Sequence, residues 1–296
     1  MSAASLGLGF SVGHWTNEAA GTGCTVILPP PGNVASVDVR GNSPGSREIE
    51  SLHANRRLNE IHGLVLAGGS AFGLATAHGV MEWLEERGVG FRTPLATIPI
   101  VPAAVVFDLG AIRSDVRPGP AEGRAACDAA TEVGVATGRV GAGTGATVGK
   151  WAGREYLAPG GLGIAAVEES GASVSALAVV NPIGDVLDSD GTVLAGTSAP
   201  EPTMVLPGRD PAGPTNTVLA VVAVKAELDK RDVAFLAERG SDGVTATIRP
   251  AHTRYDGDVT FAVAAPAERG AAAANVDLLG YLATRAVAEA VRAAVR

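Results

Sequence analysis

The sequence predicts an α/β fold, and three observations carry that expectation. Short runs of β-branched and apolar residues alternate with longer stretches whose apolar residues recur at helical spacing. The run 63–67 (GLVLA) passes through Gly68-Gly69-Ser70 straight into such a stretch, a sharp strand-to-helix turn. From Thr217 to the C-terminus the order is strand, helix, strand, helix. The 296 residues are 46% hydrophobic and 18% charged, enough to bury a sizeable core, and no linker divides them cleanly. One domain spanning 1–296 is therefore expected.

Residues 24–28 (CTVIL) and 34–39 (VASVDV) read as strands joined by the turn PPPGN. After the polar loop RGNSPGS and the strand 63–67, a helix runs from the Gly-Gly-Ser turn to a stop at Gly88, with Ser70 expected to cap it. Residues 97–107 look extended, though Pro99 and Pro102 confine them to an edge or a loop. PGPAEGRAACDAATEVG reads as a small-residue helix and GRVGAGTGATVGKW as a Gly-rich loop. Residues 161–168 and 172–180 alternate as a hairpin ending at Asn181-Pro182. Residues 185–216 lack periodicity, and a loop of that length inside one domain is usually functional. A strand at 217–224 follows, then a helix from Leu228-Asp229 to Gly240, a strand at 258–265 and an Ala-rich helix after Arg269.

Composition excludes several classes. Net charge is −8, the lysines are only Lys150, Lys225 and Lys230, and no basic run appears, which argues against nucleic acid. Cys24 and Cys127 are far apart and lack metal-ligand spacing, so buried free thiols are expected. The N-terminus has no basic region or long apolar core of a signal peptide, and no apolar stretch is long enough to span a bilayer. A cytoplasmic protein without cofactor or metal is the expectation.

Several motifs suggest chemistry and fail on inspection. GGSAFG (Gly68–Gly73) approaches the nucleophile elbow but has Phe72 where Gly is needed, and the five histidines offer Ser70 no obvious base. GAGTGA (Gly141–Ala146) and GLGIAA (Gly161–Ala166) fit a dinucleotide pattern equally well, and neither opens a clean βαβ unit. TGATVGKW is a misspaced P-loop, with Trp151 where Ser or Thr should stand. Lys150 ends that loop and is either a solvated lysine or a functional one. HTRYDGD (His252–Asp258) sets carboxylates on both sides of Gly257. If the following strand starts early, Asp256, Asp258 and Thr260 share a face. Such a pair suits holding an amine or relaying a proton; a polar turn before a strand is the plain alternative.

Thr217 follows Asn216 at the junction of the long loop and an apolar strand. A plain reading is a β-branched residue starting a strand. The sharper reading is that the chain cuts itself between Asn216 and Thr217, giving fragments 1–216 and 217–296. The freed α-amine, with an ordinary pKa of about 7.7–8.0, would serve as base for the hydroxyl beside it.

Taken together the motifs resemble the self-processing L-aminopeptidase/D-esterase family, which includes β-aminopeptidases and nylon-oligomer (6-aminohexanoate oligomer) hydrolases. The matching stretches are VGHWTN with TGCTVIL, DVRGNSPGSRE, VLAGGSAFGLATAHGVMEWLEERGVGF, VPAAVVFDL, VGAGTGATVGK, VVNPIGDV, TNTVLAVVA and RPAHTRYDGD, in order along nearly the whole chain. The resemblance implies a four-layer α/β/β/α sandwich and autocleavage before a nucleophilic Ser or Thr. It implies Thr217 as nucleophile, Asn216 before the cut, Asp256 and Asp258 as carboxylates, Lys150 as the loop lysine and Asn181 as a donor to the oxyanion or the cleavage-site carbonyl. It also implies a small amide or peptide substrate and a homo-oligomer, a tetramer of cleaved protomers. The chain departs from the family where aminopeptidase members carry an ETYDG-like stretch and this one has PAAVVFDL. It departs again where Val224 and Lys225 replace the Thr and Asp of ATDA, a charge expected to alter substrate preference. An acyltransferase using the same threonine, and a binding or assembly protein of the same fold that never cleaves, remain the alternatives.

Overall fold

The computed structural model describes residues 4–203, 216–270 and 273–296. Strands β1 (Ser11–Asn17), β2 (Thr22–Leu28), β3 (Val34–Val39), β4 (Ser46–Arg47), β5 (Leu64–Ala67) and β6 (Ala103–Val105) come first, with helices α1 (Thr76–Glu85) and α2 (Pro120–Asp128). The hairpin β7 (Gly161–Glu169) and β8 (Ala172–Asn181) follows, then β9 (Asp185–Leu187) and β10 (Val193–Ala195). Beyond residues 204–215, which lie outside the described residues, come β11 (Thr217–Lys225), α3 (Lys230–Thr247), β12 (Ile248–Arg249), β13 (Val259–Ala265) and α4 (Val276–Ala293).

Two five-stranded sheets stack face to face, one ordered β1-β2-β5-β6-β4 and the other β7-β8-β11-β13-β3. Strand alternation explains the stacking. Ile27, Leu64, Leu66 and Ala104 of the first sheet meet Leu177, Val179, Leu219, Val221 and Phe261 of the second in a shared core. The alternate residues face helices. Val26, Val65 and Ala67 pack on Ala77 and Val80 of α1 and on Ala126 and Cys127 of α2. Ala178, Val180, Ala220 and Val222 pack on Val233 and Leu236 of α3 and Leu282 and Val287 of α4. The layers are therefore α/β/β/α. Strand β11 lies in the middle of its sheet, antiparallel to β8 and parallel to β13. Both cysteines are free and buried.

The expected elements form, with four differences. Helix α3 does not stop at Gly240 but runs to Thr247. A Cβ on Gly240 would come within 2.8 Å of side-chain methyls of Thr260 and Val222, so this glycine lets the helix lie close on the sheet rather than ending it. Asp229 does cap α3, accepting from the N–H groups of Arg231 and Asp232. Residues 185–195 form the short pair β9 and β10 instead of loop. Strand β1 carries no periodicity strong enough to read in advance. Ser70 caps nothing: it opens a short 3-10 segment (Ser70–Ala75) and makes no capping hydrogen bond.

Helices α3 and α4 approach closely at Gly243, where a Cβ would meet the Thr284 carbonyl oxygen at 2.5 Å and Val287 Cβ at 2.9 Å. In an open helix Gly→Ala stabilises by roughly 1 kcal/mol. Here the sign reverses: Gly243→Ala is expected to lower stability by about 1–3 kcal/mol through overpacking. A urea midpoint below the parent's checks it, and a higher midpoint overturns the packing argument.

Candidate active site

The site lies at the end of the inter-sheet core, where β11 begins. Thr217 shares the parity of Leu219 and so faces the first sheet. Its register partner on β8 is Asn181. The preceding residue, Asn216, bridges in parallel to Asp256. The Asn216 carbonyl oxygen accepts the Gly257 N–H at 2.9 Å and the Thr217 hydroxyl at 2.5 Å. That hydroxyl thus lies against the carbonyl of the peptide bond that joins Asn216 to Thr217.

The loop after β3 holds the 256–258 turn from the other side. Ser43 N–H donates to the Asp256 carbonyl, and Arg40 and Gly41 N–H groups donate to that of Asp258. Gly41 permits this contact, since a Cβ there would sit 2.1 Å from the Asp258 nitrogen. The RGNSPGS segment is therefore a backbone clamp on the site.

Asp256, Asp258, Asn181, Lys150, Asn216 and Thr217 are all buried. The solvated reading of Lys150 fails: only 7% of it is exposed. Its Nζ donates to Asn181 O at 3.0 Å and Asn181 Oδ1 at 2.9 Å. Asn181 Oδ1 also accepts the Thr147 N–H, and its Nδ2 donates to the Phe107 carbonyl at 3.3 Å. Burial, helped by the positive charge of Arg154, lowers Lys150 to about 7, against the pull of Asp256. Burial and the neighbouring Asp258 push Asp256 up to about 6, even though Ile183 and Thr253 N–H groups and the Thr253 hydroxyl all donate to it.

The two aspartates do not share a face. Strand β13 starts at Val259, which leaves Asp256 in the preceding turn. Asp258 lies on the helix side with Thr260, whose hydroxyl meets that of Ser241. Asp258 Oδ1 accepts the Val218 N–H at 2.6 Å, one residue beyond Thr217. Its Oδ2 meets His252 Nδ1 at 2.7 Å, and His252 Nε2 reaches the Ser241 carbonyl at 3.3 Å. Burial opposes charge on His252, but the hydrogen bond and charge of Asp258 outweigh it and raise His252 above its ordinary value. Sequence reasoning gave His252 no role. Its backbone is left-handed, φ +52, and no local pattern announces that its ring folds back on Asp258.

A cleft of about 220 Å³ opens over Thr217, walled by Ser43, Pro44, Ser70, Val105 and Phe107. Val105 and Phe107 come from PAAVVFDL. In the same stretch Asp108 is buried, accepting the Thr22 hydroxyl at 2.7 Å and the Gly69 N–H at 2.6 Å. A wider hollow of about 510 Å³ beside Leu58 and Phe91 is lined by no buried ionisable group. Lys225 stands apart: it is paired with Glu268 at 3.0 Å at the far end of β11, roughly 26 Å along the strand from Thr217. Among the described residues Lys225 therefore lies apart from the cleft that Thr217 lines. Among the described residues no cluster of His, Cys, Asp and Glu suits a metal ion, and no helix is long and apolar enough to cross a membrane.

The model of peptidase family S58 matches residues 8–296. The chain belongs to peptidase family S58. It is 39% identical over 295 residues to an uncharacterized aminopeptidase of Mycobacterium leprae, covering 90% of this chain and 80% of the relative. It is 30% identical over 308 residues to a 6-aminohexanoate-oligomer endohydrolase of Paenarthrobacter ureafaciens, covering 96% and 83%. Two solved structures share the fold. A β-aminopeptidase of Burkholderia sp. aligns with a TM-score of 0.71 at 21% identity, covering 99% of this chain and 87% of that one. The L-aminopeptidase D-Ala-esterase/amidase of Ochrobactrum anthropi, described as a variant of the Ntn-hydrolase fold, aligns with a TM-score of 0.71 at 20% identity, covering 99% and 86%. As a member of S58 the protein is a hydrolase of amide bonds.

The buried lysine sets a pH signature. Its folded pKa, about 7, lies below the ordinary 10.5, so the native state binds fewer protons than the unfolded chain between those values. The stability it contributes is present above about pH 10.5 and is lost as pH falls toward 7. Melting temperatures of the parent and Lys150→Met are expected to diverge as pH rises from 7 to 10, with the parent gaining. Parallel curves would show that Lys150 titrates as a solvated lysine.

Proposed function

We propose that the protein is a self-processing amidohydrolase whose catalytic N-terminus is Thr217. The observation that carries this reading is the Thr217 hydroxyl 2.5 Å from the Asn216 carbonyl oxygen, with the Gly257 N–H polarising the same carbonyl. In processing, Thr217 Oγ1 bonds to the Asn216 carbonyl carbon and the C–N bond breaks. The nitrogen takes the hydroxyl proton and becomes the α-amine. Water then cleaves the ester, leaving Asn216 with a carboxylate and Thr217 with both groups free. The protein becomes fragments 1–216 and 217–296.

In turnover the α-amine takes the proton from Thr217 Oγ1 as that oxygen attacks a substrate carbonyl, then returns it to the leaving amine. Water releases the acid from the acyl-enzyme. Asp256 and Asp258 flank Gly257 and hold the new amine in place. Backbone N–H groups and Asn181, which Lys150 pins, stabilise the oxyanion. Aminopeptidase relatives at 39% identity and an oligoamide endohydrolase at 30% support small peptides or linear amino-acid oligomers as the substrate class. The resemblance stated above supports an oligomer of cleaved protomers, and the cytoplasm stands as the expected address.

The purified protein is expected to give two masses, and sequencing of the smaller fragment is expected to read Thr-Val-Leu-Ala-Val. A stable uncut chain, or any other start, overturns the mechanism. Thr217→Ala is expected to stay uncut and inactive, and Thr217→Ser to cleave with reduced turnover. Processing of the alanine variant would place the nucleophile elsewhere.

Asp256→Asn and Asp258→Asn are each expected to slow fragment formation or small-amide hydrolysis at least tenfold while the chain still melts cooperatively. Asn keeps the size and loses the charge that holds an ammonium. Parent-like rates in both variants would return the turn to a purely structural part.

A further inference from the structure

We propose that Ser70 is a second catalytic hydroxyl of this cleft, donating a hydrogen bond to the carbonyl oxygen of the amide that Thr217 attacks. The proposal rests on the reading of Thr217 as nucleophile.

Ser70 stands in a backbone conformation that L side chains disfavour, with φ +54, directly after Gly69 at φ +80. Such a residue persists only where its surroundings over-determine it. Here three hydrogen bonds do so: Gly68 N–H to the Gly23 carbonyl at 2.8 Å, Gly69 N–H to Asp108 Oδ1 at 2.6 Å, and Ser70 N–H to the Val106 carbonyl at 3.0 Å. Gly68 leaves the space for this, since a Cβ on it would lie 1.9 Å from Asp108 Oδ2. Asp108, buried and tied to Thr22, is thus the post on which the turn hangs. Glycine would occupy position 70 without strain, so the fold holds a side chain there against a conformational preference.

Leu8, Glu48, Ser170 and His252 are the other described non-glycine residues with positive φ. Ser70 alone among these five lines the cleft over Thr217. Its hydroxyl has no hydrogen-bond partner among the described residues. The other cleft serine, Ser43, already donates to the Arg254 carbonyl at 3.3 Å. The donors assigned above, Gly257 N–H and the Asn181 amide, both come from the threonine's own side of the cleft. A carbonyl oxygen turning into an oxyanion accepts from more than one direction, and Ser70 offers a donor on the facing wall. Ser70 gives up no proton: its hydroxyl holds the negative charge formed when Thr217 Oγ1 adds to the carbonyl, until the C–N bond breaks.

The test uses Ser70→Ala and Ser70→Gly in the full chain, reading fragment formation, hydrolysis of a small amide substrate and melting temperature. Both variants are expected to form fragments as the parent does, because the Asn216 carbonyl already has Gly257 as donor. Both are expected to lose about 10²-fold in kcat with KM within twofold, the loss typical of one missing oxyanion donor. Ser70→Gly is expected to melt several degrees above Ser70→Ala, because glycine relieves the left-handed strain. Processed Ser70→Ala with the parent's kcat overturns the proposal. So does a loss in Ser70→Gly alone, which would be a backbone effect. If instead Thr217→Ala hydrolyses the substrate, it is the reading of Thr217 that falls, whatever Ser70 does.

Discussion

The hydrogen bond from the Gly257 N–H to the Asn216 carbonyl determines where β11 begins and what Thr217 faces. It exists because position 257 has no side chain. A Cβ there would meet the Ser43 carbonyl oxygen at 2.5 Å and Thr217 Oγ1 at 3.0 Å. With glycine, three backbone segments converge on one point: the loop after β3, the turn before β13 and the start of β11. Each brings a different element of the chemistry. The first walls the cleft, the second sets a carboxylate on each side, and the third presents the hydroxyl.

Around that point the fold buries Lys150, Asp256 and Asp258, with His252 half-buried beside them. Desolvation alone would neutralise all of them. Asp256 goes part of the way, pushed up to about 6, and Lys150 comes down to about 7 from the other side. Asp258 instead has a partner for each oxygen, the Val218 N–H and the His252 ring. The outcome is one carboxylate tied to a backbone N–H and a histidine, and two groups, Asp256 and Lys150, whose values lie near neutral pH. Proton traffic at neutral pH needs small differences of this kind rather than fixed charges.

Much of this was legible in the sequence because it rested on rare or punctuating residues. Lys150 stood out as one of three lysines, Thr217 as a hydroxyl between a loop and a strand, and Asp256 and Asp258 as a pair about a glycine. Strands β8, β11 and β13, read from β-branched and apolar runs, could be placed to within a residue or two. What could not be read depended on tertiary contact. Gly240 carries the local signature of a helix end, yet the sheet beneath uses its bare Cα for close packing. His252 gains a role only when the turn folds its ring onto Asp258. Asp256 and Asp258 would share a strand face if the strand began by Asp256, but it begins at Val259 and the two carboxylates turn to different partners. Lys225 stood out as a departure from the family pattern, and the extended strand carries it to the end opposite Thr217.

A break at Asn216–Thr217 is compatible with a stable fold for a reason visible in the sheet. Strand β11 lies between β8 and β13, and Thr217 through Val224 are buried. Burying a Val or Leu side chain contributes roughly 1.5–3 kcal/mol, so Val218, Leu219, Val221, Val222 and Val224 hold the strand by on the order of 10 kcal/mol before α3, α4 and β13 are counted. The 217–296 segment is also tied to the other segment through ladders on two strands, β11 to β8 and β13 to β3. The peptide bond before Thr217 adds nothing to these contacts. It sits at the sheet's end, where Asn216 makes an isolated bridge to Asp256 and its carbonyl accepts the Gly257 N–H, outside the β11 ladders. A residue at the start of this buried strand is therefore held by the strand's neighbours, and the cut proposed before Thr217 leaves both ladders in place.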